Sequence, residues 1–371
     1  MYVFIITSFY DRYQSSIALA HFRQGILSDE GTRMITSAVV GCGYWGPKLI
    51  RNIMASKRFA LKNVCDLNPG RMENVLRLYP GVTATTKYEQ ILNDPEIEAV
   101  FIATPVATHF HLARVMMHAG KHVLIEKPLT LNVSQGEELV QISEQRQVNL
   151  MCDHIFCYTG AVQKIKELID GGILGDLLYY DSVRVNLGLF QNDVNVIWDL
   201  AVHDIAIVDY LIPLQPMQVS AQAMAHTATG MENIAYVTLT YPNSFMAHFH
   251  VNWLSPVKIR KTLIGGSKKM IEWNDLVPDQ SLKIYDKGIS LTDDDKRNKD
   301  ELLISYRSGD VLSPRLAQSE ALASVVEEFA LSIMENRPPM TDGHAALRVL
   351  KILDAADRSL KAKSINVALQ W

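Results

Sequence analysis

Apolar runs alternate with helix-like stretches over the first half of the chain. Short runs rich in Val, Ile and Leu predict strands near Thr36, Leu61, Ala99, His122 and Val148. Between these runs the apolar positions recur at the spacing of amphipathic helices. Strands that alternate with helices form parallel sheets, because each crossover needs a helix to return the chain. The pattern therefore predicts a doubly wound α/β domain over residues 34–153.

The pattern of predicted elements changes after Tyr158, where short turns rather than helices separate most of the strands. Beyond a helix at 161–169 and a Gly-Gly turn, we predict strands at 177–186, 218–225, 234–241, 245–254 and 257–264. Consecutive strands with short connections usually pair antiparallel. Residues 154–371 are therefore predicted to form an α+β domain with a mostly antiparallel sheet, which two helices at 319–336 and 343–361 complete.

The first strand leads directly into Gly41, Gly43 and Gly46, which have GxGxxG spacing. In a dinucleotide-binding loop the first two glycines allow a sharp turn and close approach of a pyrophosphate, and the third lets the next helix pack on the strand. The same spacing also occurs in plain turns. A preceding strand, together with Pro47 in the first turn of a following helix, favours the dinucleotide site.

The second strand ends at Asp66, 20 residues after Gly46. A carboxylate at this position accepts hydrogen bonds from the adenosine ribose hydroxyls and repels a 2′-phosphate. Leu67 and Asn68 place no basic residue directly after it. We therefore predict NAD rather than NADP, the alternative being a solvated Asp at a strand end.

Two later strands end in polar residues at the same predicted edge of the sheet. One ends in Thr104-Pro105 and the other in Glu126-Lys127-Pro128. Ligands bind at the carboxyl ends of strands in this architecture. There, the ammonium of Lys127 would stabilise negative charge on a substrate oxygen as hydride leaves carbon, whereas the alternative is an ordinary surface lysine.

A helical pattern in the second half carries Asp199 and His203, which are four residues apart and share one helix face. A neutral imidazole can accept a proton from an alcohol, and a neighbouring carboxylate can orient it. The alternative is an acidic residue at a helix start beside an unrelated histidine.

Composition argues against several classes of partner. The net charge of −4 and isoelectric point near 6.3 provide no attraction to nucleic acid or to anionic membranes. No apolar run reaches the roughly 18 residues of a membrane span, and the first 27 residues lack the pattern of a signal peptide. We therefore expect a soluble, cytoplasmic protein.

The cysteines and histidines do not indicate a metal site. Cys42, Cys65, Cys152 and Cys157 follow neither a metal-ligand nor a secreted-scaffold spacing, which fits reduced thiols. The pairs His109-x-His111 and His248-x-His250 have no third ligand close by in the sequence. We expect the protein to hold no metal.

The glycine loop lies unusually far from the start of the chain. Such a loop normally occurs within the first dozen or so residues of its domain, and Met34 is a natural starting residue. We therefore expect residues 1–33 to be an extension that the core fold does not need, and we assign it no role.

These motifs, in this order, resemble the Gfo/Idh/MocA oxidoreductases from about Met34 to the end of the chain. The resemblance implies a Rossmann domain followed by an open-faced domain whose sheet commonly forms oligomer contacts, hence a homodimer or homotetramer. It implies catalytic roles for Lys127, Asp199 and His203. The NAD contacts that it implies are Gly41, Gly43, Tyr44, Trp45, Gly46, Asp66, Thr104, Pro105, His109, Glu126, Lys127 and Trp198.

Longer segments resemble one branch of that family, the nucleotide-sugar 3-dehydrogenases. These segments are Gly43-Tyr-Trp-Gly-Pro-Lys-Leu-Ile-Arg-Asn52, Arg184-Val-Asn-Leu-Gly-Leu-Phe190 and Asn195-Val-Ile-Trp-Asp199. Ala201-Val202 departs from the branch, in which Gly or Pro often precedes the histidine. The substrate contacts implied are Lys127, Arg184, Asn186, Asn195, Asp199 and His203. For Arg184, a purely structural ion pair is an equal alternative.

The resemblance implies oxidation of the C3 hydroxyl of UDP-N-acetylglucosamine, or of its uronic acid, to a 3-keto sugar. A pyridoxal-phosphate aminotransferase would then form a 3-amino sugar for lipid A or a surface polysaccharide. The uncharged sugar is slightly favoured. Two other classes remain open: an NAD-dependent glycosidase with internal redox, and an NAD-sensing regulator without catalysis, against which the set Lys127, Asp199 and His203 argues.

Overall fold

Six parallel strands form the first sheet. They are β1 (Ile35–Val40), β2 (Phe59–Cys65), β3 (Thr83–Thr85), β4 (Ala99–Ile102), β5 (His122–Glu126) and β6 (Leu150–Asp153). Their order is β3-β2-β1-β4-β5-β6. Because the order reverses between β1 and β4, a ligand crevice opens there at the carboxyl edge of the sheet.

The structure is a computed structural model that describes residues 33–188, 194–228, 230–291 and 304–371. The expected extension of residues 1–33 therefore lies, apart from Arg33, outside the described residues, as do Leu189 and Phe190. Residues 35–371 belong to one compact unit. The boundary after residue 153 remains a prediction.

Helices connect the strands and cover both faces of this sheet. They are α1 (Gly46–Ala55), α2 (Gly70–Leu78), α3 (Tyr88–Leu92), α4 (His109–His118) and α5 (Val133–Arg146). Pro47 lies in the first turn of α1, where a helix needs no backbone N–H. The same helix buries Leu49, Ile50 and Ile53 along one stripe.

A second sheet of nine strands follows. Its strands are β7 (Leu177–Leu187), β8 (Gln218–Met224), β9 (Ile234–Thr240), β10 (Met246–Asn252), β11 (Leu254–Gly266), β12 (Met270–Asn274), β13 (Leu282–Leu291), β14 (Ile304–Leu312) and β15 (Val367–Ala368). The order is β14-β13-β12-β11-β7-β10-β9-β8-β15, and within the described residues only the pairing of β7 with β10 is parallel. The predicted fold class is confirmed.

The remaining helices are α6 (Gly160–Asp170), α7 (Val202–Leu211), α8 (Ala321–Met334) and α9 (Gly343–Lys361). One face of the second sheet is buried, as the alternation of buried Tyr180, Ser182 and Arg184 along β7 indicates. The opposite face carries polar and aromatic side chains, among them Tyr236, which stacks on His250.

Candidate active site

The glycine loop has the shape that a pyrophosphate requires. Gly41 has φ of +101°, and a Cβ there or at Gly46 would collide with a backbone carbonyl, that of Ala103 or of Gly41. At Gly43 the space is open, the nearest atom to a Cβ being Arg71 Nη1 at 3.9 Å. Two glycines are thus required by the protein itself, and the third leaves room for a ligand at the start of α1.

Asp66 is tied to the glycine loop. Its buried carboxylate accepts hydrogen bonds from the backbone N–H of Cys42 (2.8 Å) and of Asn68 (2.9 Å). A carboxylate can accept about four hydrogen bonds, so capacity remains for ribose hydroxyls. Arg71 Nη1 lies 3.7 Å from Asp66 Oδ2, which places a cation near Asp66, although Leu67 and Asn68 directly after it are uncharged. The residues present therefore fit a dinucleotide.

Lys127 and Asp199 form an ion pair at the carboxyl edge of the first sheet. Lys127 Nζ lies 3.1 Å from Asp199 Oδ1 and 3.0 Å from the Asp199 backbone oxygen. The other carboxylate oxygen accepts a hydrogen bond from Trp253 Nε1 at 3.1 Å. Asp199 sits on a π-helical turn, Ile197–Ala201, which leads into α7. Such π-helical turns are frequent at functional sites. This one directs both the backbone oxygen and the carboxylate of Asp199 towards the Lys127 ammonium.

His203 lies one turn beyond Asp199 and is partly exposed. Its Nδ1 is enclosed and has no partner among the described residues, and no hydrogen bond joins it to Asp199. The ring meets Phe156 edge to face, with centroids 4.9 Å apart. Burial, followed by the charges of Lys127 and Arg184, lowers the pKa of His203 well below its ordinary range. A neutral imidazole is the form that can accept a proton.

His109 connects the ends of two strands. Its ring is buried, with Nδ1 3.0 Å from the Pro128 oxygen and Nε2 2.8 Å from the Thr104 oxygen. Burial lowers the pKa of this imidazole. The ring packs between the Thr104-Pro105 loop and the loop after β5, and in its neutral form it donates to one of the two carbonyl oxygens. Its predicted contact with NAD remains a prediction.

Arg184 forms the structural ion pair that is one of its two predicted roles, and its predicted contact with substrate remains a prediction. Its guanidinium binds Asp204 through Nε (2.7 Å) and Nη2 (3.1 Å), and both residues are buried. Ser182 Oγ donates to the same carboxylate at 2.8 Å. The guanidinium carbon also lies 4.4 Å from the centre of the Phe156 ring. Arg184 therefore supports the position of His203 through Asp204 and Phe156.

Asn195 and Trp198 take part in the framework of the helix start. Asn195 Oδ1 accepts from the backbone N–H of Ile197 (3.1 Å) and of Trp198 (3.2 Å), as a helix cap does. Trp198 Nε1 donates to Asp357 Oδ2 at 2.9 Å. These contacts explain why the segment holds its shape, and the ligand contacts predicted for both residues remain predictions.

Asn186 lies closer to the ion pair. A Cβ at Gly188 would be 3.0 Å from Asn186 Nδ2 and 3.1 Å from Trp253 Cδ1, so the two side chains flank this glycine. The sequence patterns did not predict two residues of the site. Trp253 binds Asp199, and Phe156 contacts His203. Phe156 could have been found, because it lies three residues after the end of β6, at the ligand edge of the sheet.

Comparison with known proteins identifies the class. Residues 35–154 match the family model described as oxidoreductase family, NAD-binding Rossmann fold, and residues 162–272 match the GFO/IDH/MocA C-terminal domain. These models cover more than half of the chain, which belongs to the Gfo/Idh/MocA oxidoreductase family, and its dinucleotide is NAD. In the part of the chain that is described, no helix is long and apolar enough to cross a membrane.

Among its relatives is the UDP-N-acetylglucosamine 3-dehydrogenase of Acidithiobacillus ferrooxidans, 28% identical over 85% of this chain and 93% of the relative. A solved structure of that enzyme has a TM-score of 0.74 and 26% identity, covering 89% of this chain and 99% of its own. The NADP-dependent scyllo-inositol 2-dehydrogenase of Bacillus subtilis is 31% identical over 46% of this chain and 49% of its own length. The chain is thus similar to sugar oxidoreductases.

Proposed function

We propose that the protein oxidises the C3 hydroxyl of UDP-N-acetylglucosamine with NAD, forming the 3-keto sugar. The observation that carries the proposal is the ion pair of Lys127 with Asp199, with His203 one helical turn away, at the edge where the glycine loop lies. Similarity over most of both chains to a UDP-N-acetylglucosamine 3-dehydrogenase supports the choice of substrate.

In the proposed oxidation each side chain has a separate role. His203, neutral because its pKa is lowered, removes the proton of the C3 hydroxyl. Lys127 donates a hydrogen bond to the same oxygen and stabilises its developing negative charge. Asp199 holds the Lys127 ammonium in place, while Trp253 holds Asp199. When bound on the glycine loop, NAD supplies the hydride acceptor.

The charges around His203 favour an uncharged sugar over a uronic acid. Three cations lie near it among the described residues, and each has a carboxylate partner: Lys127 with Asp199, Arg184 with Asp204, and Arg260 with Asp275. A sugar carboxylate would need a cation of its own, because a buried unpaired charge is costly. A uronate would therefore have to share one of these paired cations, for example through Arg184 Nη1, which makes no hydrogen bond among the described residues.

The product of this oxidation suits a pyridoxal-phosphate aminotransferase, which would convert the ketone to a 3-amino sugar for lipid A or a surface polysaccharide. We place the reaction in the cytoplasm. We also propose that the polar face of the second sheet joins two or four copies of the chain, since it carries partly exposed side chains such as Tyr236 and His248.

The test is to incubate the purified protein with NAD and either UDP-N-acetylglucosamine or its uronic acid. NADH is followed by absorbance, and a coupled aminotransferase product is identified by mass. We expect NADH and a 3-amino product from the uncharged sugar. His203→Asn should eliminate NADH formation while NAD still binds, whereas His118→Asn, on the exposed end of α4, should not.

Each alternative has its own outcome. NADH from the uronic acid alone would overturn the choice of sugar. Cleavage of the glycosidic bond without net NADH would indicate a glycosidase, and NAD binding without any turnover would indicate a regulator.

A further inference from the structure

In the part of the chain that is described, no carboxylate is hydrogen-bonded to the ring of His203. Both carboxylate oxygens of Asp199 already have donors, Lys127 Nζ on Oδ1 and Trp253 Nε1 on Oδ2, each at 3.1 Å. His203 Nδ1 is enclosed and makes no hydrogen bond within the described residues. The torsion that turns an imidazole ring has a broad energy profile, so a ring without a hydrogen bond takes its orientation from packing. Side-chain contacts therefore decide how this ring lies.

Phe156 contacts this ring edge to face. The centroids of the two rings lie 4.9 Å apart, and their planes are inclined by 69°. Aromatic pairs prefer this arrangement, because the positive edge of one ring meets the negative face of the other. Tilting the imidazole away from this angle would lose the contact. Phe156 therefore fixes the plane in which the imidazole lies.

The Phe156 ring is itself held through its backbone and through its faces. Its backbone lies in the 3₁₀ turn Ile155–Tyr158, and its carbonyl oxygen accepts hydrogen bonds from the backbone N–H (3.2 Å) and the hydroxyl (2.9 Å) of Thr159. The guanidinium carbons of Arg184 and Arg260 lie 4.4 Å and 5.6 Å from the centre of the ring. Such cations are attracted to an aromatic ring within about 6 Å of its centre. The group that orients His203 is therefore fixed in its own position.

The two arginines lie opposite each other on neighbouring strands. Arg184 on β7 and Arg260 on β11 are register partners. Like charges directly opposite each other destabilise a sheet, so each of these cations needs a carboxylate from another element. Asp204 Oδ2 lies 2.7 Å from Arg184 Nε, and Asp275 Oδ2 lies 3.2 Å from Arg260 Nη1. Stability alone does not favour two arginines at these positions, whereas together they support the Phe156 ring.

These contacts close on themselves. The ring of His203 touches Phe156, and the ring of Phe156 touches Arg184. Arg184 binds Asp204 through Nε and Nη2, and Asp204 is the residue directly after His203 in α7. The backbone of His203 and the tip of its side chain are therefore restrained by one continuous set of contacts.

We propose that Phe156, supported by Arg184 and Arg260, is the positioning residue that aligns the imidazole of His203 with the substrate hydroxyl. This role rests on the proposed oxidation, in which His203 takes the proton of the C3 hydroxyl. The two halves of the site are then oriented separately: Asp199 orients the ammonium of Lys127, and Phe156 orients the imidazole. Phe156 exchanges no proton and touches no reacting atom, so its loss should affect the alignment of His203 and not the binding of ligands.

The first test is Phe156→Leu, which keeps an apolar side chain and removes the aromatic ring. We expect kcat with NAD and UDP-N-acetylglucosamine to fall about tenfold or more, because misplacement of a catalytic group by about 1 Å can cost about 10²-fold. KM for the sugar and Kd for NAD should change less than about twofold, since no binding contact is removed. Phe156→Tyr keeps the ring and should retain kcat within about threefold of the wild type.

Arg260 is tested through its coupling to Phe156. Arg260→Met should lower kcat about threefold, because one of the two cations that support the ring is lost. In the Phe156→Leu background the same change should lower kcat no further, because residues that act through one shared contact are not additive. Additive losses would show that Arg260 acts independently and would overturn its part in the proposal.

Two matched controls remove the same groups elsewhere. Phe245→Leu removes a ring that meets Tyr241 edge to face, at 4.9 Å and 68°, in the second domain. Arg307→Met removes an arginine that pairs with Asp286 at 3.1 Å on the edge of the second sheet. Both should keep kcat within about twofold of the wild type, because neither group contacts the site.

Unchanged kcat in Phe156→Leu would overturn the positioning role. A kcat as low in Phe156→Tyr as in Phe156→Leu would overturn it too, because the ring would then not be what aligns the imidazole. An equal loss in Phe245→Leu would indicate a general effect of losing a buried ring and would overturn it as well.

A second readout needs no turnover. Crystal structures of the wild type and of Phe156→Leu, each with NAD, give the orientation of the His203 ring directly. In the variant we expect the ring to turn by more than about 30° or to take two orientations, because no contact restricts its torsion. An unmoved ring would overturn the role of Phe156. If the ring turns but the wild type oxidises no UDP-sugar, the proposed function fails while the orienting contact remains, so the two failures are distinguishable.

Discussion

Replacing Lys127 by methionine should remove the main charge stabilisation of the proposed reaction. The side chain keeps its length but loses an ammonium that lies 3.1 Å from Asp199 Oδ1 and 3.0 Å from the Asp199 backbone oxygen. Loss of one well-placed donor to a developing oxyanion costs about 10²–10³ in kcat, or about 3–4 kcal/mol. We expect a loss of at least this size, because Asp199 is then an uncompensated negative charge beside the reacting oxygen.

The same change should move the pH dependence. The Lys127 charge lowers the pKa of His203, so its removal raises that pKa. His203 must be neutral to accept a proton, and any residual activity should therefore be lost at higher pH than in the wild type as the solution is acidified. The assay is NADH formation at saturating sugar between about pH 5 and 9, with NAD affinity measured by titration.

Lys164→Met is the matched control, because it removes a lysine paired with Glu167 on the surface of α6. It should leave kcat within about twofold of the wild type, as most surface changes have little effect. If Lys127→Met kept more than about a third of the wild-type kcat with NAD bound, Lys127 would not stabilise the transition state and the assignment of its role would be wrong.

Three further predictions concern the glycine loop, Arg184 and His154. Gly41→Ala should weaken NAD binding and lower the free energy of unfolding by at least about 1–3 kcal/mol, because φ is +101° and the added Cβ would collide with the Ala103 oxygen. The control in thermal unfolding is Gly81→Ala, where an added Cβ would have no atom within 4 Å. Arg184→Met should lower the free energy of unfolding by about 3–5 kcal/mol, since it leaves buried Asp204 uncompensated, and Arg184→Met with Asp204→Leu should recover much of the loss in urea denaturation. Folding lowers the pKa of His154 from 6.5 to about 4. On acidification His154 is therefore protonated in the unfolded chain before it is protonated in the folded protein. The free energy of unfolding should fall by up to about 3 kcal/mol as the pH drops from 6.5 towards 4. Because Asp153 contributes with the opposite sign over an overlapping range, the loss should be read as the difference between wild type and His154→Gln, and equal pH slopes in the two would contradict it.

Much of the fold was predictable because it is specified by local periodicity. The helix predicted at 343–361 has those bounds in the structure, and the strand predicted at 177–186 is β7. β3 was missed because it is only Thr83–Thr85 and has no apolar run. β12 could have been predicted, since Ile271 and Trp273 alternate with polar neighbours and are both buried.

The site was predictable where it depends on strand ends, and not where it depends on contacts distant in sequence. The positions of Gly41 and Lys127 follow from the loop and from the end of β5. Nothing local to Trp253 indicates that it donates to Asp199, 54 residues earlier. The register that pairs Glu126 with Asp153 likewise arises only when β5 and β6 assemble.

The ion pair at the site is assembled from three distant parts of the chain. Lys127 follows β5 of the first sheet, Asp199 lies on the π-helical turn before α7, and Trp253 lies between β10 and β11 of the second sheet. A molecule whose glycine loop had formed but whose two sheets had not yet docked would bind the dinucleotide without a held ammonium. Such a molecule would be inactive, because a substrate that the site could not orient would not reduce the bound NAD. Under the proposed function, reactivity therefore depends on the docking of both sheets and not on dinucleotide binding alone.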